Sequence, residues 1–310
     1  MHPFTESVEA SVAAWGEEKL IAEIRRWLGA ASPRAPFGIG DDCAVLPASR
    51  GPQLITVDPV IYPRHFDDRV PPAAVGAKLL KRNLSDLAAM GGRPTAAVLA
   101  LTLDARVSRL WLKSFYIGLA RCAREYHVPI VGGDIAEADG ALVASLTLLG
   151  EAAGARTVTR RGARIGDHIY VTGILGGSLQ SRHHFKFRPR LDEGAWLARQ
   201  EMVRAMMDVS DGLAKDLHAL TPTSGAPALD AHSIPRRPKC SLKQALADGE
   251  DYELVFVVDR RAELAAFERA WRRAFPGTRL SHIGRFVARR GFPEAAVNLQ
   301  AFAGYEHLKA

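Results

Sequence analysis

The chain is poor in cysteine. Its 310 residues include three, Cys43, Cys122 and Cys240, far apart and odd in number. That excludes a disulfide framework and fits a reducing compartment, so a cytoplasmic protein is expected. No apolar run reaches the ~20 residues of a membrane helix, and no membrane partner is expected. The first residues, Met1-His2-Pro3-Phe4-Thr5-Glu6, lack the basic-then-apolar pattern of a secretory signal. Also missing are the phosphate-loop string G-x-x-x-x-G-K-[ST], a G-x-G-x-x-G turn after a strand, and the His-Arg-Asp and Asp-Phe-Gly strings of protein kinases. Any nucleotide site must be of another kind. There is no zinc-finger spacing, RNA-recognition signature or basic heptad segment, so no nucleic acid is expected as a partner. The net charge of +7 comes from dispersed basic residues and reads as a solvated surface able to attract small anions.

What is present is ordinary globular material, 47% hydrophobic and 24% charged, with enough length for about two domains. Helical spacing covers 17–28, 73–90 and 107–126, and strands are expected at 53–57, 96–103, 129–131 and 142–149. A stretch rich in Gly, Ala and Arg, 150–166, divides a first domain, 1–150, from a second, 151–310. In the second, strands are expected at 168–173, 252–258 and 281–284, and helices at 196–206, 213–220 and 262–275. The alternation predicts an α/β (α+β) chain.

Five acidic motifs fall at the expected junctions: Gly40-Asp41-Asp42, Thr56-Val57-Asp58, Asn83-Leu84-Ser85-Asp86, Gly132-Gly133-Asp134 and Asp208-Val209-Ser210-Asp211. Charged groups beside apolar runs are costly without compensation. Singly, each has a bland explanation. Asp41-Asp42 suits an Asx-type turn, Gly132-Gly133-Asp134 a β-turn, and Ser210 or Asp211 a helix cap. Asp86 resists such a reading because it lies inside a helical pattern among Leu84, Leu87 and Met90. Together the motifs point to hard divalent cations holding phosphates, since Mg²⁺ is bound by one or two carboxylates plus phosphate oxygens.

In chain order, Gly38-Ile39-Gly40-Asp41-Asp42-Cys43-Ala44-Val45-Leu46, Asn83-Leu84-Ser85-Asp86-Leu87-Ala88-Ala89-Met90-Gly91, Val131-Gly132-Gly133-Asp134, Asp208-Val209-Ser210-Asp211-Gly212-Leu213 and Gly249-Glu250-Asp251-Tyr252-Glu253-Leu254 resemble the strings of the thiamine-monophosphate kinases, in the superfamily of aminoimidazole ribonucleotide synthetase and selenophosphate synthetase. The resemblance implies transfer of the γ-phosphoryl group of ATP directly to thiamine monophosphate, with several Mg²⁺ ions. It implies metal positions at Asp42, Thr56, Asp58, Asp86, Asp134, Asp208 and Asp211, with Asp42, Asp86, Asp134 and Asp211 carrying catalysis. It further implies ATP contacts at Tyr116, Gly133, Arg160 and Ser210, and thiamine phosphate contacts at His65, Glu250 and Tyr305. The implied fold is that of aminoimidazole ribonucleotide synthetase, a homodimer whose first-domain strands pair between subunits, with ATP between the two domains.

Some positions depart from the family pattern. Val57 stands where a second hydroxyl precedes the Asp58 position, Arg64 replaces a small residue beside His65, and Asp248 replaces a glycine. The segment from Gly176 to Arg190 is short. The rival readings are another ATP-using enzyme of the superfamily and a non-catalytic nucleotide-binding paralogue. The C-terminal Glu306-His307-Leu308-Lys309-Ala310 lacks the cysteine that the hydrogenase-maturation relative needs.

Overall fold

Leu20, Ile24, Trp27 and Leu28 are the buried positions of α1 (Glu17–Leu28), one face at helical spacing, as the sequence pattern predicts. The structure is a computed structural model that describes residues 1–40, 43–49, 51–302 and 304. Asp41, Asp42 and Tyr305 lie outside the described residues. The chain forms two units, one of Met1–Leu87 and Arg93–Glu151, the other of Ala88–Gly92 and Ala152–Ala310. No helix among the described residues is long and apolar enough to cross a membrane.

The first unit continues with β1 (Gln53–Ile61), α2 (Pro72–Ala89), β2 (Gly92–Leu103), α3 (Arg109–Glu125), β3 (Ile130–Glu137) and β4 (Leu142–Ala152). Its sheet has the order β1-β4-β2-β3. β1 runs antiparallel to β4, while β2 and β3 are parallel and joined by the crossover helix α3. α2 starts on Pro72, where a missing N–H costs nothing, and stops before Gly91, whose φ of +67° suits glycine. α2 and α3 approach each other across glycines. A Cβ on Gly118 would lie 1.9 Å from the Ala73 carbonyl oxygen, and one on Gly76 2.1 Å from that of Phe115.

The second unit contains β5 (His168–Thr172), the short α4 (His183–Lys186), α5 (Leu191–Ala198), β6 (Val203–Asp208), α6 (Leu213–Leu220), β7 (Gly225–Leu229), α7 (Leu242–Ala247), β8 (Leu254–Val258), α8 (Leu264–Ala274) and β9 (Leu280–Ala288). Its five strands pair antiparallel in the order β6-β8-β5-β9-β7. Both faces of this sheet are covered. Val255 and Val257 of β8 pack with Leu213, Leu217 and Leu246. Leu254, Phe256 and Val258 face the other way, onto Leu197, Phe267 and Trp271.

Several local expectations are corrected. The helix expected over 196–206 is instead the end of α5 followed by β6. β6 is buried on both sides and rich in helix formers, so its residues show no alternation. The break is made by Arg156, whose guanidinium donates to the carbonyls of Ala198, Gln200 and Val203 at 3.0, 2.6 and 2.9 Å. Gly132-Gly133-Asp134 is not a turn but the middle of β3, at a register shift against β2. Thr56-Val57-Asp58 and Asn83–Asp86 likewise sit inside elements rather than at junctions.

Because carbonyl backbone fills the space beside Gly118, Gly118→Ala is expected to lower stability by about 1–3 kcal/mol, read as a shifted urea midpoint. An unchanged midpoint would contradict the close α2–α3 approach.

Candidate active site

A polar stripe on α2 organises the first unit. Lys78, Arg82 and Asp86 recur every fourth residue and so share one side of the helix. Each meets β1 or the turn after it. The fully buried Lys78 donates from Nζ to the His65 carbonyl at 2.9 Å. Arg82 donates from Nη1 to the Pro59 carbonyl at 2.7 Å, and its Nε lies 3.2 Å from Asp58 Oδ2. Asp86 Oδ2 accepts from the Thr56 hydroxyl at 2.6 Å. The helix thus descends as the strand ascends, and Thr56, Asp58 and Asp86 gather on one side of the sheet.

Strand alternation explains the departure at Val57. Thr56 and Asp58 are half-buried, whereas Ile55 is 73% exposed and Val57 60%. The missing hydroxyl is therefore missing from the face opposite the carboxylates. His65 is held in the turn after β1: its Nδ1 accepts from the Ile61 N–H at 3.0 Å, so its proton resides on Nε2. Arg64 beside it is exposed.

A cavity of about 470 Å³ occupies the other edge of this unit, lined by Ile21, Ile24 and Leu28 of α1, Tyr116 of α3 and Gly132–Ile135 of β3. Two of the expected nucleotide-contacting residues, Tyr116 and Gly133, meet here, with Asp134 beside them. Burial pushes the Tyr116 phenol above the ordinary tyrosine range, so it stays protonated. A Cβ on Gly133 would stand 2.1 Å from the Leu99 carbonyl, which is why this strand position takes glycine. Asp134 does not join the Thr56–Asp86 group. β3 is separated from β1 by β4 and β2, three strand spacings of about 4.8 Å each.

In the second unit, Ser210 and Glu250 are adjacent: the Glu250 N–H donates to the Ser210 carbonyl at 2.7 Å. Glu250 and Tyr252 have φ of +62° and +52°, costly for non-glycine residues. Buried carboxylates on either side hold this conformation. Asp251 accepts from the Gly176 N–H at 3.0 Å and pairs with Arg237. Glu253 accepts from Thr172 and takes a two-point contact from Arg190, each bond 2.7 Å. Asp248, replacing a glycine, accepts from the Gly177 N–H at 2.9 Å. Asp208 is buried at the end of β6, and Arg160 is exposed between β4 and β5.

Neither Ser210 nor Asp211 caps α6. Gly212 holds the N-cap position, and Asp216 reaches back to accept from the N–H groups of Ser210 and Asp211 at 3.0 and 3.1 Å. The Asp211 carboxylate is left to pair with Lys215 at 2.6 Å. Sequence reasoning missed Asp216, and also Lys78 and Arg82. The latter two had a readable signal, their four-residue spacing ahead of Asp86.

The donors Thr56, Asp58 and Asp86, like Asp134, Asp208 and Asp211, are hard oxygens without Cys or His, a set suited to Mg²⁺. Among the described residues, no three His, Cys, Asp or Glu gather tightly enough to hold a metal alone.

Residues 40–152 match the family model of the AIR synthase related protein, N-terminal domain. The chain is 34% identical over 279 residues to the thiamine-monophosphate kinase of Rhodopirellula baltica, covering 84% of this chain and 86% of that one. The crystal structure of thiamine-monophosphate kinase from Stenotrophomonas maltophilia superposes with a TM-score of 0.73 at 29% identity, covering 87% and 93% of the two chains. A chain solved as AaThiL complexed with AMPPCP and TMP superposes at 0.70 with 27% identity, covering 96% and 98%.

Burial, then the nearby Asp211, pushes the Asp216 carboxyl from 3.8 up to about 7. Below pH ~4 the group is protonated folded and unfolded alike. From about 4 to 7 only the unfolded chain ionises, so stability falls with rising pH by up to about 1.4 kcal/mol per unit. Asp216→Asn is expected to abolish this slope, so wild type loses ground against the variant across that window in urea unfolding. A pH-independent difference would overturn the assignment.

Proposed function

This chain belongs to the thiamine-monophosphate kinase family, and from that premise we propose how its own residues serve the reaction. The enzyme transfers the γ-phosphoryl group of ATP to thiamine monophosphate, giving ADP and thiamine diphosphate. A phosphate oxygen of thiamine monophosphate forms the new bond to the γ-phosphorus as the bond to the β,γ-bridging oxygen breaks. The electron pair leaves with ADP. The acceptor is already an anion at neutral pH, so no side chain need remove a proton from it. The obstacle is repulsion between two phosphate-bearing anions, and positioning with charge neutralisation overcomes it.

The observation that carries this reading is the Thr56 hydroxyl on the Asp86 carboxylate at 2.6 Å, with Asp58 on the same side of β1. These residues, with Asp42 and Asp134, are the proposed Mg²⁺ ligands of the first unit, and Asp208 and Asp211 those of the second. Bound Mg²⁺ supplies neutralisation of the phosphate oxygens. The apolar cavity at Tyr116 and Gly133 takes the nucleotide base, and Arg160 and Ser210 contact the phosphates. His65 offers its Nε2–H to the acceptor phosphate. Glu250 and Tyr305 hold the cationic thiazolium or the aminopyrimidine, Tyr305 by its aromatic face. We place the reaction in the cytoplasm.

A homodimer joined along β1 completes the reading. β1 is an edge strand, and Ile55 and Val57 expose two large apolar side chains on it. Unpaired edges of this kind invite pairing with another strand.

Purified protein with Mg-ATP and thiamine monophosphate is expected to yield thiamine diphosphate, and Asp86→Asn to lose about 100-fold or more of that rate with circular dichroism unchanged. Activity within a few-fold of wild type would sink the shared role of Asp86. Phosphoryl transfer to a different acceptor would favour another enzyme of the superfamily, and Mg-ATP binding without any transfer a non-catalytic paralogue. Separately, Val57→Lys is expected to halve the mass measured by light scattering. A wild-type mass of one chain would remove the dimer.

A further inference from the structure

Two members of the α2 stripe, Lys78 and Arg82, have no part in the reaction as proposed. Arg82 is a cation among acids, with a side chain only 13% exposed. Its guanidinium hydrogen-bonds the Pro59 carbonyl at 2.7 Å, and its Nε lies 3.2 Å from Asp58 Oδ2 as an ion pair without hydrogen-bond alignment. Asp86 follows one helical turn later. A cation anchored to the strand backbone in this way sets a fixed positive charge beside the Asp58 carboxylate and attracts it.

We propose that Arg82 is the built-in counter-ion of Asp58, a positioning residue that holds this carboxylate in place before any divalent cation arrives and weakens the cation's hold once it does. The inference rests on the reading of Asp58 and Asp86 as cation ligands. Carboxylates drawn together on a half-buried surface repel, and an unpaired one is costly. With Arg82 in place the cation-free protein is already compensated. An incoming Mg²⁺ then gains less at Asp58, because it competes with a charge already there. Loose binding lets a cation that enters with ATP depart with ADP.

The test is thermal unfolding of wild type, Arg82→Met and Arg82→Lys, each in EDTA and across a Mg²⁺ titration, repeated with Mn²⁺. Arg82→Met keeps the aliphatic stem and removes the charge. Its melting temperature is expected to fall in EDTA and to recover as Mg²⁺ is added, because a ligand that binds only the folded state stabilises it. The concentration giving half of that recovery is expected to lie about tenfold below the wild-type midpoint, equivalent to about 1.4 kcal/mol. Arg82→Lys, which restores charge but not the guanidinium anchored on the Pro59 carbonyl, is expected to lie between the two. It carries the same comparison at smaller amplitude if Arg82→Met does not fold. A melting temperature lowered equally with and without Mg²⁺ would reduce Arg82 to a packing role and overturn the proposal. If neither wild type nor variant responds to Mg²⁺ or Mn²⁺, the cation reading of Asp58 and Asp86 fails, and the proposal fails with it.

Discussion

The contact between one side of α2 and β1 is the constraint on which the chemistry proposed for the first unit depends. Lys78, Arg82 and Asp86 meet, in order, the His65 carbonyl, the Asp58–Pro59 segment and Thr56. The helix therefore sets the register of a strand that carries two proposed cation ligands and of the turn that carries His65. On the remaining sides of α2, Leu79, Leu80, Leu84 and Leu87 are buried, beside the buried polar Asn83 and Ser85. Those side chains anchor the helix, and the polar stripe then has no freedom to shift. A one-residue slip of β1 would exchange Thr56 and Asp58 for Ile55 and Val57 on the working face.

The second unit reaches a comparable rigidity by a different route. Its sheet core is apolar on both faces, and the charged groups cluster where β8 is entered. Asp251 and Glu253 flank Tyr252, and their partners Arg237 and Arg190 come from distant loops. Those pairs hold two left-handed non-glycine residues, Glu250 and Tyr252, and Tyr252 also stacks on Phe187 with ring centres 4.0 Å apart. Strain of this kind persists only where the surroundings over-determine it. The side chain so presented, Glu250, is the one proposed to meet the substrate.

Much of this was legible because the relevant signals are local. The spacing of Leu20, Ile24, Trp27 and Leu28 defines α1, and Pro72 and Gly91 bracket α2. Asp86 stood out because a carboxylate inside an apolar helical pattern needs a partner, and Thr56 is that partner. What was not legible depends on long-range contacts. Arg156 ends α5 from some forty residues away, and without it 196–206 reads as one helix. Ser210 or Asp211 is expected to cap α6 with its side chain, whereas Asp216 of the helix reaches back to their N–H groups, a reversal that composition cannot signal. Gly132 and Gly133 read as a turn because glycine usually marks one, whereas at Gly133 it allows two strands to close.

The energetics of the α2 stripe argue for its purpose. Ion pairs withdrawn from water often contribute little to stability, because desolvation offsets much of the Coulomb attraction, and apolar residues of similar volume can do as well or better. If α2 served only to cover the sheet, leucines at 78, 82 and 86 would suffice. Lys78 and Arg82 instead bond to carbonyls on β1 and its turn, and the acidic groups they accompany are the ones proposed to hold the cation. The stripe is thus better explained by the need to hold carboxylates in a set geometry than by any gain in stability. The proposed site, binding Mg²⁺ with each nucleotide and releasing it afterwards, needs ligands that keep their places in its absence. Fixed basic side chains meet that need, whereas acids alone would spread apart whenever the cation left.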